Sequence, residues 1–228
     1  MKRYLTLLLL QISLTANAQQ TIFDVPSADV TDKGHVYLES ESQFRFWHPG
    51  AFWGGTEYFA YGVGFNTDVE STLYNVSDPH SDNISLGLGF KSFIPLLKSQ
   101  LPNTELKLTI GDQVVPSLQG HGLGDWTYTH LSGRLPIIKT RLTAGISAGT
   151  SQIFGRDTVH FIGGYEQPIT KNFSIIGDYF SGAQALGYFI NGISYALPVN
   201  YTLFAGYQIP NARRIGKSGF VFELAKIF

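Results

Sequence analysis

The sequence predicts an all-β chain, folded as a single antiparallel transmembrane β-barrel of about twelve strands, within a range of ten to fourteen. Three observations carry the prediction. Apolar and polar residues alternate with period two in segment after segment of about 9–11 residues, the length a tilted strand needs to cross a bilayer. After residue 20 no stretch approaches 18 consecutive apolar residues, so a helical membrane protein is excluded. Charged residues make up only 14% of the chain and aromatics also 14%, with 25 glycines, a composition that suits neither disorder nor an ordinary soluble surface.

The N-terminus reads as a secretory signal. Lys2 and Arg3 form a positive region, Leu5 to Leu14 is leucine-rich, and Ala16-Asn17-Ala18 supplies the small-x-small cleavage pattern. The expected division is therefore a signal peptide over 1–18, a short periplasmic N-terminal segment over 19–33 and the barrel over 34–228. The chain has no cysteine, so a lipid-modified cysteine, a disulfide and a thiolate metal site are all excluded. Losing Lys2 and Arg3 leaves 14 basic against 17 acidic residues, and with no basic stripe nucleic acid is not an expected partner.

Strands are expected at 35–46, 57–66, 68–76, 83–92, 104–112, 122–134, 140–150, 158–166, 172–181, 185–196, 200–208 and 218–228. In the first, Val36, Leu38, Phe44 and Phe46 share one face with Ser40 and Ser42, while Tyr37, Glu39, Glu41, Gln43 and Arg45 share the other. In the second, Phe59, Tyr61, Val63 and Phe65 oppose Tyr58, Ala60, Gly62 and Gly64. Segments 68–76 and 185–196 alternate poorly. The stretch 92–103 is bracketed by Pro95 and Pro102 and reads as a turn.

Three proline-bearing links, at 135–140, 167–172 and 197–200, recur at intervals of about thirty residues, as a repeat of membrane-length hairpins would. Counting from a periplasmic N-terminus puts them on the inner side. The links 47–56, 77–82, 113–121, 151–157, 182–184 and 209–217 then lie outside, and on the whole they are longer and richer in Gly, His, Asn and Asp. Aromatic residues gather near strand ends: Phe46, Trp47, Phe52, Trp53, Trp126 and Tyr128 towards the loops, and Tyr165, Phe173, Tyr195 and Tyr201 near the proline turns. Rings at headgroup level would form interfacial girdles.

The chain closes on the alternating run Phe220-Val221-Phe222-Glu223-Leu224-Ala225-Lys226-Ile227-Phe228. A final strand ending on an aromatic resembles the insertion signal of bacterial outer-membrane β-barrel proteins. That resemblance, shared with the signal peptide and the alternating strands, implies an outer-membrane location, lipid as surroundings, and the barrel-assembly machinery as a partner that recognises Phe228. Lys226 departs from the pattern by sharing the face of Phe222, Leu224 and Phe228.

If the apolar faces meet lipid, then Glu39, Glu41, Arg45, Lys91, Glu105, Lys107, Arg134, Arg141, Glu166, Asp178 and Glu223 line the lumen. Their mixed signs suit a lumen laced with ion pairs, without strong ion selectivity. Inward glycines leave room for a narrow aqueous path. His130 and Ser132 share a strand face at the i, i+2 spacing of a base and a hydroxyl. Tyr128-Thr129-His130-Leu131-Ser132-Gly133-Arg134 is similar over about five residues to the sites of outer-membrane phospholipases and lipid A deacylases, but Gly133 stands where those families carry asparagine before glycine. The expectation is that the chain is not an enzyme. No histidine pair has metal-site spacing, and no metal or cofactor is expected.

The function these readings favour is a narrow passive channel for small polar solutes. A closed structural barrel, or one binding a surface partner through its outer loops, is the alternative, and a lipid hydrolase using His130 and Ser132 comes third.

Overall fold

The computed structural model describes residues 20–45, 52–76, 84–214, 216 and 218–228. The expected signal peptide, Phe46, Trp47 and the loop 77–83 fall outside them. Twelve strands are present: β1 (Val36–Arg45), β2 (Phe52–Gly64), β3 (Thr67–Val76), β4 (Ser85–Pro95), β5 (Lys107–Pro116), β6 (Leu123–Arg134), β7 (Arg141–Gly149), β8 (Val159–Pro168), β9 (Phe173–Phe180), β10 (Tyr188–Leu197), β11 (Tyr201–Pro210) and β12 (Gly219–Ile227). Each pairs antiparallel with its neighbours in sequence, and β1 pairs with β12, so the sheet is a closed barrel. The seam runs from Tyr37 opposite Ile227 to Phe44 opposite Phe220. Phe228 completes it: its N–H donates to the Val36 carbonyl at 2.9 Å, and the Val36 N–H returns a bond at 3.3 Å.

The expected strand set is thus present, with shifted edges. β5 starts at Lys107 rather than 104, because Glu105 takes a left-handed φ of 47° that ends the preceding turn. β2 starts at Phe52 and so takes in part of the expected link 47–56. A short helix, α1 (Ser151–Phe154), occupies an outer link where periodicity gave no sign of one. The stretch after Pro95 is a turn, closed by the Leu101 N–H donating to the Leu97 carbonyl at 2.7 Å.

Period two sorts the side chains strictly. Outward positions are apolar and exposed, as at Leu88 (51%), Leu131 (47%), Ile146 (55%) and Phe161 (49%), while inward positions such as Lys91, Thr109, Gln113, His130 and Glu223 are buried. A continuous exposed apolar surface of this kind is what soluble monomers avoid. β10 alternates poorly in sequence because Ile190 faces inward, where it is fully buried in a small apolar core.

Lys226 does point outward, two residues from the chain end. Its Nζ lies 4.6 Å from the centre of the Tyr201 ring and 4.4 Å from that of Phe228. The rim aromatics therefore hold the charge, while the stem covers apolar surface. Trp126 and Tyr128 are not girdle residues: both face inward and are buried.

Two rim turns use left-handed backbone. Phe65 and Asn66 have φ of 56° and 58°, and Val199 and Asn200 have 63° and 62°. Valine is poorly suited there, since its branched Cβ crowds the carbonyl oxygen at a cost of about 1–2 kcal/mol. Val199 is 76% exposed and contributes little packing. Val199→Gly is expected to stabilise the barrel by roughly 0.5–1 kcal/mol after glycine's own entropic cost, read as a higher urea midpoint for loss of heat-modifiable gel mobility.

Candidate functional site

Of the segment expected before the barrel, residues 20–31 enter the lumen and fold there as a hook, and Asp32 and Lys33 are exposed. Thr21 bridges Pro26, the Ile22 N–H donates to the Val25 carbonyl at 2.8 Å, and the Ser27 N–H donates to the Gln20 carbonyl at 3.0 Å. Phe23 and Asp24 form the tip. Gln20, Ile22, Val25 and Ser27 are fully buried, and Phe23, Ala28 and Thr31 nearly so. The physical reason is plain in the composition of the hook: Ile22, Phe23 and Val25 need an apolar seat, and the barrel supplies one in Ile162, Ile176, Ile190 and Phe204.

The inward glycines provide the space. A Cβ on Gly164 would lie 2.4 Å from the Ile22 side chain, and one on Gly206 or Gly192 would lie 2.7 or 2.8 Å from the Phe23 ring. At Gly62 it would meet the Thr31 and Asp32 carbonyl oxygens at 2.4 and 2.2 Å. These glycines fit the hook to the wall; they do not line an aqueous path.

Four of the sequence-predicted lumen charges, Lys91, Lys107, Arg141 and Asp178, anchor the hook. Asp178 Oδ2 accepts from the N–H groups of Phe23 (3.0 Å) and Val25 (2.7 Å). Lys91 Nζ donates to the Gln20 carbonyl at 2.8 Å and lies 3.8 Å from Glu70. Lys107 Nζ donates to the Ala28 carbonyl and to Asp29, both at 3.1 Å. Arg141 bridges Asp29 (2.7 Å) and Glu166 (2.6 Å). Asp68, which sequence reasoning missed, accepts the Thr31 N–H at 3.0 Å on each oxygen. Backbone groups taken from water need such partners, and bonds to charged groups are worth about 1.5–3 kcal/mol each.

Glu39, Glu41, Arg45 and Glu223 lie beyond the hook, towards the rim away from the termini. Glu39 accepts bonds from Tyr37 and Thr21, and Glu41 accepts from Gln43 Nε2 at 2.9 Å. Glu105 lies before β5 and its side chain is 55% exposed; it pairs at 3.2 Å with Arg134, which stands opposite Arg141 in the β6–β7 register and so keeps the inward face at the terminal rim. His130 and Ser132 both face inward and are buried, yet they are not joined. Both ring nitrogens of His130 lack a hydrogen-bond partner, and the Ser132 hydroxyl accepts from Thr143 Oγ1 at 3.1 Å. Among the described residues no group of three His, Asp or Glu side chains is placed to hold a metal ion.

Above the hook lies a cup of about 340 Å³, floored by Gln20, Thr21, Phe23, Asp24 and Pro26. Its wall carries Glu39, Glu41 and Glu70 together with Tyr58, Tyr74, Trp126, Tyr128 and Tyr188. Of these the sequence pointed to only two carboxylates; the aromatics sit on inward positions that alternation identifies but does not rank.

Two hook carboxyls respond oppositely to their seats. Burial, then the Asp178 carboxylate, pushes Asp24 up to about 8. Burial also works against the charge on Asp29, but Arg141 and Lys107 outweigh it and hold that carboxyl well below the usual range.

No family model matches this sequence, and no curated protein does. Among solved structures, one from work on the in-meso crystallization of membrane proteins is similar at 11% identity and a TM-score of 0.47, over 85% of this chain and 83% of its own. The open form of the ferric-catecholate import receptor Fiu from E. coli K12 is similar at 10% identity and a TM-score of 0.28, over 78% of this chain and 31% of the receptor.

Because the chain has no cysteine, an Ala28→Cys thiol reports hook release through its maleimide labelling rate. Asp178→Ala strips two hook N–H groups of their acceptor, at roughly 1–3 kcal/mol each. Labelling is expected to accelerate at least about tenfold, one decade corresponding to roughly 1.4 kcal/mol. The pH response follows from Asp24, which in a released hook titrates near 3.8 and when seated near 8. The seated state therefore holds the extra proton, and its advantage is full below the released value and lost as pH rises through about 8. The carboxylates facing Asp24 are Asp178, Glu41 and Glu223, with Tyr74 and Tyr188 as neighbouring phenols. Labelling of Ala28→Cys is expected to rise between pH 6 and 9 more steeply than in the same protein carrying Asp24→Asn.

Proposed function

We propose that the protein is an integral barrel of the bacterial outer membrane whose lumen is a narrow passive path for small polar solutes, held shut by the hook in this conformation. The observation that carries the reading is a closed barrel with an apolar outer surface and a polar lumen occupied by a short segment of its own chain, held by hydrogen bonds and ion pairs. Nothing covalent retains the hook, and hydrogen bonds are its main polar fastenings. The outer-membrane part of the proposal is supported by strand lengths suited to a hydrocarbon core of about 30 Å. Further support comes from the signal-like N-terminus and the outward rim aromatics Tyr195 and Tyr201; in this reading Phe228 is the residue the barrel-assembly machinery recognises. Lys226, snorkelling between two rings, marks where the lipid-facing surface ends.

The alternative, a permanently closed barrel, is favoured by the same hook and is separated from the first by one experiment. Mature protein refolded in detergent and placed in a planar bilayer is expected to give at most rare current steps. A chain lacking residues 20–30, or the folded Asp178→Ala variant, is expected to give steady ones, with heat-modifiable mobility confirming that each barrel formed. Silence from both folded variants would overturn the channel reading.

A further inference from the structure

We infer that the cup above the hook is a binding site for a small organic polycation, one carrying several N–H donors on a flexible apolar stem, as a protonated polyamine does. The inference rests on the cup's geometry and takes the outer-membrane barrel as its setting.

The lining is mostly acidic. The carboxyl groups of Asp24, Glu39, Glu41 and Glu70, with that of seated Asp24 protonated near neutral pH, stand against one guanidinium, Arg45, around a cavity of about 340 Å³. That volume falls at the small end of the range for small-molecule sites. Buried acceptors at the cup stand without donors: Gln20 Oε1 and Gln208 Oε1, on residues 0% and 3% exposed, have no hydrogen-bond partner, nor does Glu70 Oε1, whose nearest cation is Lys91 at 3.8 Å. Behind the lining, Glu223 lies directly opposite Glu41 in the β1–β12 register, is 1% exposed, and has both carboxyl oxygens unpartnered. Like charges facing one another across a strand pair destabilise it, and orphaned buried acceptors cost free energy, unless a donor or cation is supplied.

The donor is organic, not metallic. Among the described residues no three acidic or imidazole side chains come together as metal ligands. The carboxylates are instead spread around a wall of aromatic rings, including Tyr58, Trp126 and Tyr128. Ring faces attract ammonium groups and accept methylene stems, so a chain with cations spaced along it engages both features at once. A neutral solute would answer the orphan acceptors but not the carboxylate charge, and an anion would be repelled by it.

Because Gln20, Thr21, Phe23 and Asp24 are the cup's floor, the ligand contacts hook and wall together. A ligand that binds the seated state alone stabilises that state by mass action. The polycation therefore holds the hook in place as well as occupying the cup.

The test is calorimetric titration of spermidine into refolded full-length mature protein in non-ionic detergent at low salt. Saturable one-to-one binding is expected, weakened at least about tenfold by Glu41→Gln, a loss of roughly 1.4 kcal/mol, and unchanged by Glu105→Gln on the opposite rim. Spermidine is also expected to slow maleimide labelling of Ala28→Cys, an effect Glu41→Gln removes. No saturable binding to demonstrably folded barrel would overturn the inference. So would equal displacement by magnesium, which would mean diffuse counterion attraction. Neither readout uses current, so a silent barrel that binds spermidine sinks the channel and keeps the cup, whereas a conducting hook-deleted barrel with no binding in the full chain does the reverse.

Discussion

Everything in this molecule depends on the seam between β1 and β12. A sheet with free edges leaves a row of unpaired N–H and C=O groups, and a sheet in lipid has no water to satisfy them. Closure from Tyr37–Ile227 to Phe44–Phe220, finished by the Val36–Phe228 pair, removes the edges. It also turns one face of every strand inward on a confined space. Side chains on that face can no longer reach bulk water freely, so each charge must find a partner inside.

The hook is the answer to that confinement. Lys91, with no exposed surface, would be prohibitively costly alone; it is balanced by a backbone carbonyl and by Glu70. Asp178, Asp68 and Arg141 are satisfied in the same way by hook groups. Such pairs add little net stability compared with apolar packing, but they reject any segment that lacks the matching donors and acceptors. The apolar residues Ile22, Phe23 and Val25 supply burial, and the polar anchors supply the register.

Strand number, strand order and the in–out assignment were legible in the sequence because the period of two is imposed by the backbone alone and survives any tertiary context. Glu39, Lys91, Arg141 and Asp178 were accordingly placed on the lumen face, where they are found. Their partners were not legible. Nothing in Ile22-Phe23-Asp24-Val25 distinguishes a segment folded into a lumen from one trailing below it, and glycines at 62, 164, 192 and 206 read equally well as empty space or as a mould. Glu105 was assigned to the lumen face, but its own left-handed φ ends the turn before β5 and leaves it on the exposed rim, a conformational choice that alternation does not record. Trp126 and Tyr128 lie near a strand end, as girdle residues do, but their parity along β6 turns both rings into the lumen.

The hook passes into β1 with only residues 32–35 between, and this short tether makes the hook a ligand that never leaves its receptor. Fully extended, residues 20–33 span roughly 45 Å, enough to clear the lumen yet too little to diffuse away. A segment so confined returns at an effective concentration on the millimolar scale. Its reclosure is thus a first-order event, with a rate set by the chain and not by protein concentration or by how many barrels share a membrane.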